Sequence, residues 1–157
     1  RRAHATAWFA PLPPGTRLRP IVEADLAEVA ALDLAAYGAD RTLLLQRLIT
    51  ISEGLALVQG DHMVAFALCR RFGRGHVIGP VVAASAEDGK ALLAYLMAGR
   101  QGHFVRVDTA EATELGPWLA DQGLVRVDEG IVMQRPVVRR SGAAPLTTFA
   151  LASQAFG

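Results

Sequence analysis

Val77-Ile78-Gly79-Pro80-Val81-Val82-Ala83-Ala84-Ser85-Ala86-Glu87-Asp88-Gly89-Lys90-Ala91-Leu92-Leu93 is the stretch in which the period of the chain changes. Val77 to Ala83 is apolar nearly throughout, which predicts a central strand covered on both faces. Ser85 then stands as N-cap of a helix expected over Ala86 to Met97. Asp88, three residues on, completes a capping-box pattern with Asp in place of the usual Glu. Ala91, Leu92, Tyr95 and Leu96 give this helix its expected buried stripe. Phe104 to Val107 reads as the next strand. A helix crossing between two strands makes a βαβ unit, in which the strands run parallel.

Toward the N-terminus, Leu55 to Val58 and Met63 to Cys69 read as an antiparallel hairpin around Gln59-Gly60-Asp61-His62. Arg70-Arg71-Phe72-Gly73-Arg74-Gly75 reads as a second turn, basic and Gly-rich. Before the hairpin, Thr16 to Ile21 is a short strand. Glu23-Ala24-Asp25 opens a helix carrying Leu26, Val29, Ala30, Leu32 and Leu34, with acidic residues at the positive end of its dipole. Asp40 caps a second helix, Arg41 to Ile51, with Leu43, Leu44, Leu48 and Ile51 as its stripe. Toward the C-terminus, Glu111 to Gln122 reads as a helix with Gly116-Pro117 inside it. Leu124 to Val127 and Ile131 to Gln134 read as a closing hairpin. Thr147 to Phe156 reads as a short apolar element docking on the body. The expected division is residues 1–15 as an arm, 16–136 as an α/β (α+β) domain with a mixed central sheet flanked by helices, and 137–157 as a packing tail.

Composition narrows the function classes. At 157 residues, 52% hydrophobic and 20% charged, the chain suits one domain with a real core. A net charge of +1 gives no bulk attraction toward nucleic acid or anionic membrane. No apolar run approaches the roughly 18 residues that span a bilayer. The one cysteine, Cys69, rules out a disulfide within the chain and a cysteine-built metal site, and a reducing cytoplasm is the expected setting. His4, His62, His76 and His103 show no i, i+4 pair of a helical zinc site.

The element order, together with Leu18-Arg19-Pro20, Glu23-Ala24-Asp25-Leu26, Ala65-Phe66-Ala67 and Leu119-Ala120-Asp121-Gln122-Gly123-Leu124, resembles the GNAT N-acetyltransferase fold over roughly Arg17 to Arg135. Ile78-Gly79-Pro80-Val81-Val82-Ala83, Arg106-Val107-Asp108 and Phe149-Ala150-Leu151-Ala152 are similar to the divergent second domain of two-domain GNAT proteins. That likeness implies that Arg1 to Phe9 is the last strand of a preceding domain, which would account for a start on Arg1-Arg2 rather than Met.

The resemblance implies acyl transfer from acetyl-CoA to a small-molecule or peptide amine, with the cofactor pyrophosphate against the N–H groups at a helix N-terminus. It assigns Val81, Val82, Ala83, Gly89 and Lys90 to the cofactor and Asp108, a strand-end carboxylate, to the role of base. Glu111, Asp128, Glu129 and His76 are further candidate bases. Against the family's Arg/Gln-x-x-Gly-x-Gly/Ala motif, Ala84 stands in place of Arg or Gln and Glu87 in place of the middle Gly. Glu87 and Asp88 bring two carboxylates to the expected anion site. Leu119 stands where many members carry an acid Tyr and has no proton to donate. Tyr37 and Tyr95 are the remaining tyrosines, and Cys69 reads as a buried structural thiol. Two functions follow: an acetyl-CoA-dependent N-acyltransferase, or a GNAT-like module that completes a substrate pocket or dimer surface for a companion GNAT domain or a second copy.

Overall fold

Among the described residues, apolar runs over consecutive hairpins build a six-stranded mixed sheet. The computed structural model describes residues 10–131 and 145–156. The strands are β1 Thr16–Pro20, β2 Ser52–Gln59, β3 His62–Phe72, β4 Gly75–Ala83, β5 Val105–Val107 and β6 Thr147–Ala150. Strands β1 to β4 pair antiparallel in sequence order, and β5 joins β4 in parallel. Helices α1 Leu26–Tyr37 and α2 Thr42–Ile51 lie over one face, α3 Ala86–Ala98 and α4 Leu115–Asp121 over the other.

The twofold period of the strands sorts the core into those two layers. Leu55, Leu57, Ala65, Ala67, Cys69, Val81 and Ala83 face α3 and α4. Their neighbours Ala56, Val58, Phe66, Leu68 and Val82 face α1 and α2. β4 is buried on both sides, as its unbroken apolar run predicts. Ser85 accepts the Asp88 N–H at 3.2 Å and starts α3. Asp40 accepts the Thr42 N–H at 2.9 Å and starts α2.

The helix faces depart from the sequence reading. Tyr95 is 56% exposed, and α3 instead buries Ala91 to Ala94 with Leu96 and Met97. Leu43 is 83% exposed and Ile51 also faces out, while Leu45, Leu48 and Ile49 are buried. In α1, Leu34 is exposed and Asp33 is buried in its place. Runs of adjacent apolar residues leave the phase of a helix free by one position, or about 100°. The helix expected over Glu111 to Gln122 is a 3₁₀ turn, Glu111–Thr113, followed by α4. Glu114 separates them in the left-handed region at φ 56°. Pro117 thereby falls in the first turn of α4, where its missing N–H forfeits no bond.

No strand forms over residues 124–131, so the first half of the expected closing hairpin is absent; residues 132–134 lie outside the described residues, as does the expected strand over residues 1–9. The sheet takes β6 instead. The basic turn is also shorter than expected, because β3 continues to Phe72 and β4 begins at Gly75.

One ion pair ties β1 to the entry of α1. Arg19 donates to both carboxylate oxygens of Asp25, at 2.8 and 2.9 Å, and the Val22 N–H adds a bond at 2.8 Å. The Arg19 bonds hold the Asp25 carboxyl below its usual value. A depressed acid stabilises the fold fully above its unfolded value, about 3.9, and loses that contribution as pH falls through the lower folded value. Acid unfolding of Asp25→Asn, followed by circular dichroism, is therefore expected to lack part of the wild-type loss below pH ~4. Superimposable acid limbs would remove Asp25 from that role.

Candidate functional site

β4 has one edge on β3 and shares the other between two strands. His76 to Ile78 pair with Val105 to Val107 of β5, and Val81 to Ala83 pair antiparallel with Thr147 to Ala150 of β6. The shared edge divides at Gly79-Pro80. A Cβ at Gly79 would collide with the Leu151 carbonyl oxygen, so only glycine admits the chain crossing there. That crossing is tied on both sides. The Leu151 N–H donates to the Asp108 carbonyl at 2.7 Å, and the Thr109 hydroxyl donates to the Phe149 carbonyl at 2.7 Å. From β3, Arg70 donates to the Gly79 carbonyl at 3.1 Å and to the Ala152 carbonyl at 2.6 Å.

Four of the five residues assigned to acetyl-CoA, Val81, Val82, Ala83 and Gly89, meet at β6, and Lys90 does not join them. Val81, Val82 and Ala83 form the β6 pairing edge. Gly89 lies in the first turns of α3, where an added Cβ would stand 3.3 Å from the Phe149 ring. Phe149 is 6% exposed and belongs to the core under α3. Lys90 reaches Glu87 at 3.3 Å on the outer surface, and the Glu87 side chain is exposed, not held over the helix end. The Asp88 N–H at that end is taken by Ser85. As folded, this set does not fit a CoA chain: the edge of β4 is spent on β6, and Phe149 packs against Gly89 of α3.

The proton-transfer candidates are scattered. Asp108 follows β5, and its Oδ1 accepts the Arg106 guanidinium at 2.7 Å. Leu119 is buried in the core of α4. Tyr37 lies beneath the Arg41 guanidinium, 3.7 Å from its ring centre. Glu111 sits in the 3₁₀ turn, Asp128 and Glu129 on the exposed segment after α4, and His76 at the far end of β4. Cys69 is buried, and desolvation pushes its thiol up to about 11, which leaves almost no thiolate at neutral pH. Among the described residues no group of three or more His, Cys, Asp or Glu could hold a metal ion. No described helix is long and apolar enough to cross a membrane.

A sequence model for the acetyltransferase (GNAT) domain matches residues 29–142. The chain belongs to the GNAT acetyltransferase family. It is 33% identical over 141 residues to the uncharacterized N-acetyltransferase YitH of Bacillus subtilis (strain 168), covering 86% of this chain and 48% of that protein. The chain thus spans about half the length of that relative. Among solved structures it is similar to the ribosomal-protein-alanine N-acetyltransferase of Brucella melitensis, at a TM-score of 0.56 and 16% identity over 76% of this chain and 98% of the other. It is also similar to a putative acetyltransferase of Pyrococcus horikoshii, at a TM-score of 0.59 and 15% identity over 90% of this chain and 54% of the other. These two likenesses establish the GNAT fold.

The role of β6 was the feature sequence reasoning missed. The apolar run Phe149-Ala150-Leu151-Ala152 marked a segment that packs. Nothing local in it names the edge of β4 as its place.

Proposed function

We propose that this GNAT domain serves acetyl transfer from acetyl-CoA to a small-molecule or peptide amine as the divergent half of a two-part N-acetyltransferase. In this reading it keeps its own cofactor edge closed and completes a substrate pocket or contact surface for the half that performs transfer. The observation that carries the reading is the pairing of Val81 to Ala83 with β6. The buried Leu119 and the Ser85-capped start of α3 agree with it, because neither offers the acid or the open anion site that transfer uses. The half-length match to YitH agrees as well. The partner half is a companion GNAT domain or a second copy of this chain. The reading puts the protein in the cytoplasm, where one buried thiol suits a reducing setting.

Isothermal calorimetry of acetyl-CoA against the chain tests the closed edge directly. No saturable binding is expected up to about 1 mM, the weak limit of ordinary cofactor affinity. Acetylation of a panel of amines by the chain alone is expected to stay at the blank rate. Micromolar, one-to-one acetyl-CoA binding would overturn the reading and return the chemistry to this domain.

A further inference from the structure

A second cleft lies at the opposite end of β4. It has a volume of about 470 Å³ and is lined by Arg71, Arg74, His76, Arg100 and His103, with Gly75, Gly99, Gly102 and Phe104 completing the wall. The volume falls within the usual range of small-molecule sites. Among the described residues no carboxylate lines it. Glu53 on β2 compensates part of this charge, its Oε2 accepting Arg100 Nη2 at 2.5 Å. Three guanidiniums against one carboxylate leave a surplus of two positive charges when both histidines are neutral.

The cationic wall is built, not merely solvated. Arg100 is 9% exposed and donates to the Leu96 carbonyl at 2.8 Å, which anchors its guanidinium. Its Nε is buried without a partner among the described residues, and so is His76 Nδ1. The His76 and His103 rings meet edge to face with centroids 5.8 Å apart. The His76 backbone N–H donates to the Phe104 carbonyl at 2.9 Å, which closes the loop after α3 over the start of β4. Arg71 and Arg74 are exposed at the mouth. Their neighbour Arg70 is turned to the β6 side, so the sheet has drawn two of the three turn arginines into this cleft.

We infer that this cleft binds a small phosphate dianion, free or as the monoester of a small metabolite, at a site separate from the β6-covered edge. Guanidinium forks match the oxygens of phosphate in pairs. A phosphate monoester carries close to two negative charges at neutral pH, which equals the surplus of the wall. The field inside agrees in sign. Burial lowers the His76 pKa, and Arg100, Arg71 and His103 lower it further against the opposing pull of Glu53. An anion bound there favours the imidazolium, so it raises the His76 pKa.

The test uses three probes on the whole chain: inorganic phosphate, glycerol 3-phosphate and succinate, followed by calorimetry and by the ring signals of His76 in NMR. Saturable binding of the two phosphates is expected, weakening with salt, with His76 titrating at higher pH in their presence. Arg71→Ala and Arg74→Ala lie on the exposed turn and are each expected to weaken binding about tenfold. Thermal melts of both variants check that the fold is kept. Tighter glycerol 3-phosphate assigns the ligand to a metabolite, and tighter inorganic phosphate to the free ion; both support the site. Succinate binding as tightly as phosphate, no saturable phosphate binding, or affinities unmoved in both arginine variants would overturn it. Acetyl-CoA binding at the other end of β4 leaves this test unaffected, so the two proposals fail separately.

Discussion

Asp33→Ala is expected to destabilise the domain by about 3–5 kcal/mol, the usual cost of stripping one partner from a buried ion pair. Asp33 is fully buried, and the Arg41 side chain is 7% exposed. Two bonds join them, at 2.9 and 2.6 Å, bridging α1 to the residue that opens α2. Arg41 also donates to the Phe156 carbonyl at 3.0 Å and stacks on Tyr37. Removing the carboxylate takes both Asp33 bonds from a guanidinium whose side chain is almost entirely buried. Urea unfolding gives the number, and the midpoint is expected to fall without a change in slope. Asp33→Leu with Arg41→Met removes both charges and is expected to lie closer to wild type than Asp33→Ala. A loss under about 1 kcal/mol for Asp33→Ala would place the pair with ordinary surface bridges.

That pair marks a limit of what local sequence can convey. An aspartate inside an apolar helix pattern reads as the solvent face, and only the folded chain brings Arg41 back to it. Strands β1 to β5 and α3 were legible because several signals agreed: apolar runs in β3 and β4, a turn at Gly60, and Ser85 before a helical period. The phases of α2 and α3 were not, since adjacent leucines offer two neighbouring faces equally. The basic turn shows the same difficulty at a strand end. Extending β3 to Phe72 sends Arg70 and Arg71 to opposite faces of the sheet. One joins the Ala152 carbonyl just beyond β6, and the other joins the cationic cleft. Read as a loop, the three arginines formed one patch. Asp108 was correctly placed at a strand end, but its engagement with Arg106, two residues before it, depended on the rotamers chosen at the split edge.

Phe149→Ala tests the closed edge most sharply. Truncating a buried phenylalanine costs about 3–5 kcal/mol. Here the cost falls on a strand of only four residues, so the first consequence is local detachment of β6. Amide exchange at Ala150 and Leu151 is expected to quicken by a hundredfold or more, in the range of a 3 kcal/mol loss, while the β2–β3 ladder stays protected. Global unfolding with uniform loss of protection would mean instead that β6 is integral to the cooperative core. Detachment frees the edge of Val81 to Ala83 and uncovers Gly89. The apparent affinity of any ligand for that edge equals its intrinsic affinity scaled by the open fraction. If closure excludes acetyl-CoA, Phe149→Ala is expected to show weak saturable binding that the wild-type chain lacks. If exchange quickens and binding stays absent, the barrier lies in α3 itself. Its first turn has its Asp88 N–H capped by Ser85 and carries only Gly89 of the glycines that the family motif uses to let a pyrophosphate approach.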